Sequence, residues 1–256
     1  MERIILVSQF TNYQSKFFAH HLTAEGIQEE DALTQSLSAA KVDLNPHQVD
    51  AATFVLRSPL SKGVLLADEV GLGKTIEAAL VISQRWWERE RNILLIVPAS
   101  LRKQWATELR EKFSLPSFIL DTKRVRDLEK KGIPNPIGQG SGIIIVSYEY
   151  AARIADILRC TPWSLVVFDE AHKLRNVYKA AENSRASVLR QALAGRHKLL
   201  LTATPLQNNL MELYGLISII DDTYFGSQQA FRSEFGGRDG HTSQAILAKR
   251  LEPICK

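Results

Sequence analysis

Between a short apolar run, Val64-Leu65-Leu66, and a segment with helical periodicity lies Ala67-Asp68-Glu69-Val70-Gly71-Leu72-Gly73-Lys74-Thr75-Ile76. Strand, glycine loop, Lys-Thr and helix is the order of a phosphate-binding loop, and few folds accommodate it. Gly71 and Gly73 let the backbone turn tightly and aim N–H groups at phosphate oxygens. Lys74 can reach the β- and γ-phosphates, and the Thr75 hydroxyl can hold Mg²⁺. A helix opening at Thr75 adds the positive end of its dipole. Asp68, Glu69, Val70, Gly71, Leu72, Gly73, Lys74, Thr75 and Ile76 are therefore the candidate nucleotide-binding residues. The general pattern G-x-x-x-x-G-K-[ST] is met except at its first glycine, where Asp68 stands.

Ahead of the loop, Asn45 can cap a helix with Pro46 at its first position, which puts Gln48 in the first turn. A glutamine amide offers a donor and an acceptor together, which suits the N6/N7 edge of adenine. Behind the loop, Thr75 to Glu90 reads as a helix with Ile76, Ala79, Leu80, Ser83 and Trp87 on one face. The apolar runs within 92–98, 143–146, 165–168 and 198–201 suit parallel strands buried on both faces. After the first of them Ser100 can cap a helix whose apolar face is Leu101, Trp105, Leu109 and Phe113. Residues 121–142 look least ordered: a mixed, mainly basic run at Lys123–Lys131, read as a solvated face, then a Gly/Pro-rich loop. Leu210, Leu213, Leu216, Ile217 and Ile220 mark a last apolar helix face. A strand at Ile4–Val7 and helices near Tyr13–Leu22 and Glu29–Ala40 are expected in an accessory segment, residues 1–40.

The run Leu165-Val166-Val167-Phe168 leads straight into Asp169-Glu170-Ala171-His172. A carboxylate just past a buried strand is where an α/β sheet puts its ligands. Asp169 can hold Mg²⁺, and Glu170 can orient and deprotonate an attacking water, the division of labour that phosphoryl transfer to water requires. Lys74, Asp169 and Glu170 are the candidate catalytic residues, and Thr75 and Asp169 the candidate metal ligands.

Bulk properties permit this reading. The 256 residues can hold one large α/β domain or two small ones, and 45% hydrophobic and 23% charged residues are ordinary for a globular protein. A net charge of +4 permits a polyanionic partner without demanding one. Cys160 and Cys255 form no C-x-x-C pair and read as reduced thiols. His20-His21 has no second cluster to complete a metal site. The apolar core at Ile4–Val7 is too short for a signal peptide, and no run approaches the ~20 apolar residues of a membrane span.

Taken together, these motifs resemble superfamily 2 helicases, and more closely the SWI/SNF-type DNA-translocating ATPases in their bacterial RapA-like branch. The resemblance is carried by Ala67–Thr75, Asp169-Glu170-Ala171-His172-Lys173-Leu174-Arg175-Asn176, Leu201-Thr202-Ala203-Thr204-Pro205-Leu206-Gln207-Asn208-Asn209 and Glu212-Leu213-Tyr214-Gly215-Leu216 with Phe225-Gly226-Ser227. Asp68 is usual in that branch. The family implies a RecA-like lobe over residues 41–236, a parallel central sheet flanked by helices on both faces, with 237–256 starting a linker towards a second lobe. It implies that Gln48 reads adenine and that ATP and Mg²⁺ are the cofactors. His172, Thr202 and Thr204 would couple nucleotide state to a DNA track. Pro98, Ser100, Lys103, Ser147 and Tyr148 would touch the backbone of double-stranded DNA, a contact that grips without reading sequence.

The second RecA-like lobe that the family uses, and its arginines, is not evident in this sequence. An arginine finger is worth about 10³–10⁵ in rate, so weak nucleotide binding and poor hydrolysis are expected of this chain. The resemblance further implies a cytoplasmic, nucleoid-associated bacterial protein. A strand-separating DNA or RNA helicase lobe, and a docking module without turnover, stay open as alternatives at this point.

Overall fold

A computed structural model describes residues 33, 36, 37, 40–57, 62–67, 73–133, 135–179, 181–203, 210–236 and 240–256. The expected strand at 4–7 and helix at 13–22 lie outside these residues, as does most of the helix expected at 29–40.

The first helix, α1 (Pro46–Arg57), begins at the proline that the sequence places there. Then follow β1 (Gly63–Leu66), α2 (Lys74–Trp87), β2 (Ile93–Val97), α3 (Arg102–Phe113), β3 (Ser117–Ile119), α4 (Thr122–Lys130) and β4 (Ile143–Ser147). The second half runs α5 (Tyr148–Arg153), α6 (Ala155–Cys160), β5 (Leu165–Phe168), 3₁₀ turns at Ala171–Leu174 and Val177–Lys179, α7 (Arg185–Ala192) and β6 (Lys198–Leu201). Helices α8 (Leu210–Ile220), α9 (Gln228–Phe235) and α10 (Gly240–Leu251) close it.

The strands form one six-stranded sheet in the order β1-β6-β5-β2-β4-β3, with every adjacent pair parallel. Strand side chains alternate between faces, and the core divides accordingly. Leu65, Leu94, Ile96, Ile144, Val146, Val166, Phe168 and Leu200 enter one apolar cluster, covered by α5 to α10. Val64, Leu66, Ile93, Leu95, Val97, Ile143, Ile145, Leu165, Val167, Leu199 and Leu201 enter the other, under α1, α2 and α3. Burial on both faces explains why these strands are continuous apolar runs rather than alternating ones.

Three local expectations change. Helix α2 is buried all along Ile76–Gln84, not on one stripe, because it is enclosed between the sheet, α1 and α3, while Trp87 at its end is 49% exposed. Ser100 does not cap α3: the helix starts at Arg102, Leu101 takes the cap position with no side-chain bond, and a Leu101 N–H to Pro98 carbonyl bond makes the turn. Residues 122–130, expected to be irregular, form α4, because Asp121 accepts a capping bond from the Arg124 N–H at 2.9 Å. Its anchors, Val125 and Leu128, pack on the core and leave Lys123, Arg124, Arg126 and Lys130 in solvent.

Within residues 237–256, where the sequence reading starts a linker, residues 254–256 run along the outer edge of β1. The Leu65 N–H donates to the Ile254 carbonyl at 2.7 Å, the Lys256 N–H to the Leu65 carbonyl at 3.0 Å, and the Ala67 N–H to the Lys256 carbonyl at 2.6 Å. Leu247 and Ile254 are buried in the core, and that burial secures the return.

Candidate active site

The carboxyl end of the sheet gathers the residues that the motifs single out. Loops leave it after β1, β2, β4, β5 and β6, and the candidates stand at those exits. Ligands of open α/β sheets bind there, outside the strand carboxyl ends.

Asp68 to Leu72 lie outside the described residues; Gly73, Lys74, Thr75 and Ile76 form the loop's end and the first turn of α2. Gly73 has φ 94° and ψ 33°, a left-handed conformation that suits glycine. A Cβ built on it would lie 2.2 Å from Gln48 Nε2. The Gln48 amide is therefore packed directly against the loop, with its Oε1 accepting from the Asn45 N–H at 3.1 Å. Only 5% of Gln48 is exposed, so α1 carries an internal support for the loop as well as the amide expected to meet adenine.

Asp169 continues the β5 register, its N–H donating to the Ile96 carbonyl at 3.0 Å. Both carboxylate oxygens are held: Trp105 Nε1 donates to Oδ2 at 2.7 Å, and the Glu170 N–H donates to Oδ1 at 2.9 Å. Burial and the neighbouring Glu170 charge raise the Asp169 pKa; the Trp105 bond, the Glu170 N–H and the positive charge of Lys74 oppose the rise. Lys74 thus acts on Asp169 across the site. Tyr148 closes the other side, its hydroxyl donating to the Asp169 carbonyl at 2.8 Å. Burial first, then the charges of Asp169, Glu170 and Glu149, hold that phenol protonated well above its ordinary pKa.

Glu170 has φ 53° and ψ 47°, one of three non-glycine residues with positive φ among those described. Such backbone costs of order 1–3 kcal/mol and concentrates where geometry serves function. It turns the Glu170 side chain to half-exposure, where Oε2 lies 3.0 Å from His172 Nδ1, an ion pair when the imidazole is protonated. Behind the turn, Arg175 Nε lies 3.5 Å from Glu212 Oε1 on α8. Gly215 lets α8 approach, since a Cβ there would lie 2.0 Å from the Arg175 carbonyl oxygen. Thr202 is buried, with its N–H on the Leu66 carbonyl at 3.0 Å, which joins the end of β6 to the foot of the glycine loop. Thr204 lies outside the described residues.

The residues expected at nucleic acid divide into two sets. Ser100 and Lys103 are exposed and Pro98 half-buried at the exit of β2. Ser147 and Tyr148 are withdrawn: Ser147 Oγ caps α5 by accepting from the Tyr150 N–H at 3.2 Å, and Tyr148 is 3% exposed on Asp169. Their side chains face inward because both stand where β4 turns into α5. Sequence reasoning also missed Trp105 at Asp169, since strict i+4 spacing gives it an apolar core position. The available signal was its indole N–H, which needs a partner when buried.

A nucleotide and divalent cation fit this site on two observations. Gly73 turns in the left-handed region straight into the N-terminus of α2, where helix N–H groups suit a phosphate. Asp169 and Glu170 repel each other, a strain that a cation relieves. Mg²⁺ binds through one or two protein oxygens together with substrate phosphates, and the Asp169 carboxylate is of that kind.

The SNF2-related domain model matches residues 47–256. The uncharacterized ATP-dependent helicase YqhH of Bacillus subtilis is 37% identical over 193 residues, 74% of this chain and 31% of that protein. The RNA polymerase-associated protein RapA of Pectobacterium atrosepticum is 34% identical over 224 residues, 85% of this chain and 23% of that protein. The chain thus spans less than a third of the length of these relatives. Among solved structures, the Sulfolobus solfataricus SWI2/SNF2 ATPase core in complex with dsDNA superposes with a TM-score of 0.69 at 24% identity, over 85% of this chain and 45% of that one.

Proposed function

The chain belongs to the SNF2-related domain family, with the RecA-like fold of the SWI2/SNF2 ATPase cores, and from that premise we propose that it is the ATP-binding lobe of a DNA-dependent ATPase that translocates on double-stranded DNA and remodels nucleoprotein complexes. The observation that carries the proposal is the meeting of Lys74, Asp169 and the Glu170–His172 pair at the carboxyl end of one parallel sheet. The arrangement suits attack of water on a terminal phosphate.

In this reading Gly73 and Lys74 hold the phosphates, Gln48 supports the loop and meets the adenine edge, and Thr75 and Asp169 hold Mg²⁺. When bound, Mg²⁺ supplies charge neutralisation across the phosphates. Glu170 accepts the proton of the attacking water as the new oxygen–phosphorus bond forms and ADP departs with the electrons of the breaking bond. His172 holds the Glu170 carboxylate in position. Thr202, through its bond to Leu66, and Thr204 relay the state of the site to the segment leading into α8.

Pro98, Ser100 and Lys103 supply phosphate-backbone contacts, and Ser147 and Tyr148 shape that edge from inside. The dsDNA bound to the Sulfolobus core supports duplex DNA as the track. A second RecA-like lobe completes the site with arginines, so this chain alone turns ATP over slowly. A cytoplasmic, nucleoid-associated location follows from such a substrate.

The test is ATP turnover with and without duplex DNA, with Lys74→Ala as the blank, beside a Mg·ATP binding measurement. Detectable binding with little turnover is expected of this chain, and DNA-stimulated turnover once a second lobe is joined to it. Glu170→Gln leaving the rate of that two-lobe protein unchanged would overturn the enzymatic reading.

A further inference from the structure

We propose that Trp105 is a positioning residue of the nucleotide site, fixing the Asp169 carboxylate so that this side chain meets Mg²⁺ in one orientation. The proposal rests on the reading of Asp169 as a metal ligand given above.

A carboxylate that holds a metal can rotate about its last side-chain bond unless both oxygens are restrained. Here one oxygen is tied to backbone, by the Glu170 N–H at 2.9 Å. The other is tied by a side chain from a different element, the Trp105 indole at 2.7 Å. An indole is a donor only, so the bond has one sense and leaves the carboxylate its remaining lone pairs for a cation. Outer partners of this kind set ligand orientation, and losing them typically costs about 10–100-fold in metal affinity.

The placement of Trp105 favours this role over simple packing. Its ring is 2% exposed in the cluster under α1, α2 and α3, so it cannot swing away without opening the core. A Phe would fill most of that space; the polar N–H is the part that packing does not need. The Tyr148 hydroxyl on the Asp169 carbonyl fixes the backbone of the same residue from the opposite face. Asp169 is thus held at its backbone and at both side-chain oxygens.

Trp105 also belongs to the second turn of α3, whose first turn presents Lys103 to solvent. The Arg102 guanidinium ties that end of the helix to the Ala99 carbonyl at 3.2 Å and to Asp121 at 3.4 Å. A shift of α3 is therefore a shift of the Asp169 donor.

The experiment is a Mg²⁺ titration of N-methylanthraniloyl-ADP binding by the chain, comparing wild type with Trp105→Phe. The expected result is a rise of about tenfold or more in the Mg²⁺ concentration at half-saturation, with nucleotide affinity in excess EDTA unchanged. If Trp105→Phe unfolds, replacing Trp105 by its benzothiophene isostere keeps the bicyclic shape and removes only the N–H. A Mg²⁺ midpoint within twofold of wild type in either folded variant overturns the proposal. Asp169→Asn separates the premise. If it retains the wild-type Mg²⁺ dependence, or if wild type shows none, the metal-site reading itself fails; if it loses that dependence while Trp105→Phe keeps it, only the role of Trp105 fails.

Discussion

Asp169 and Lys198 stand at opposite ends of the β5–β6 pair, and desolvation shifts both pKa values towards the uncharged form. Around Asp169 the chain leaves the sheet in loops, one residue takes a left-handed conformation, and a lysine and a second carboxylate act on it. Lys198 stands where β6 enters the sheet, 1% exposed, with its ammonium donating to the Arg196 and Ile220 carbonyls at 3.1 and 3.3 Å. Its pKa is lowered to about 8, chiefly by burial. A shifted pKa alone therefore does not mark a reaction centre. What separates the two ends is that one sets its charged group among the loops leaving the sheet while the other uses it to close a helix end.

The sharpest way to break that contrast is to change one end and read the property assigned to the other. Glu170→Gln at the open end is expected to lower turnover of the two-lobe protein by about 10²–10⁴-fold and to leave the melting temperature nearly unchanged. A large loss of stability with it would make Glu170 structural. Gly73→Ala should be next in size: its φ of 94° disfavours a Cβ by about 1–2 kcal/mol, and the added atom collides with Gln48. Loss of nucleotide affinity, measured by equilibrium binding, should exceed the loss of stability measured by melting.

At the closed end the order reverses. Unfolded, a lysine keeps its proton to about 10.5; folded, Lys198 keeps it only to about 8. Between those values the unfolded chain binds more protons, so stability rises with pH, by about 2 kcal/mol at pH 9.5. Urea unfolding at pH 7.5 and 9.5 measures the rise, and Lys198→Met should flatten it while leaving nucleotide affinity at the wild-type value. Smallest of all, Lys62→Ala removes a surface pair with Asp221 at 3.0 Å and should cost under about 1 kcal/mol in the same assay. A turnover defect from either variant would erase the contrast between the two ends.

How far each end was legible follows from the kind of interaction that builds it. Apolar runs announced β1, β2, β4, β5 and β6, because strands buried on both faces must be apolar throughout. Edge strand β3, three half-buried residues, carries no such run. Helix α4 was hidden because its core contact is only Val125 and Leu128, and its stability leans on the Asp121 cap. At the candidate site, Lys74, Thr75, Asp169 and Glu170 stand out in the sequence because the proposed phosphate chemistry restricts residue type and spacing. Trp105 does not, because its ring satisfies the i+4 apolar spacing while its indole N–H reaches Asp169; Tyr148 reads as a DNA-backbone contact, and its hydroxyl lies instead on the Asp169 carbonyl. Lys198 was legible only as the first residue of a strand.

The return of residues 254–256 along β1 bears on how the lobe behaves in a crowded solution. Rows of unpaired N–H and C=O groups at sheet edges are templates on which foreign strands can assemble. Here the β1 side is occupied by the chain's own residues, through bonds at Leu65 and Ala67, and the opposite border is a strand of only three residues. Neither border, among the described residues, offers a long flat template, which disfavours edge-to-edge polymerisation of the lobe.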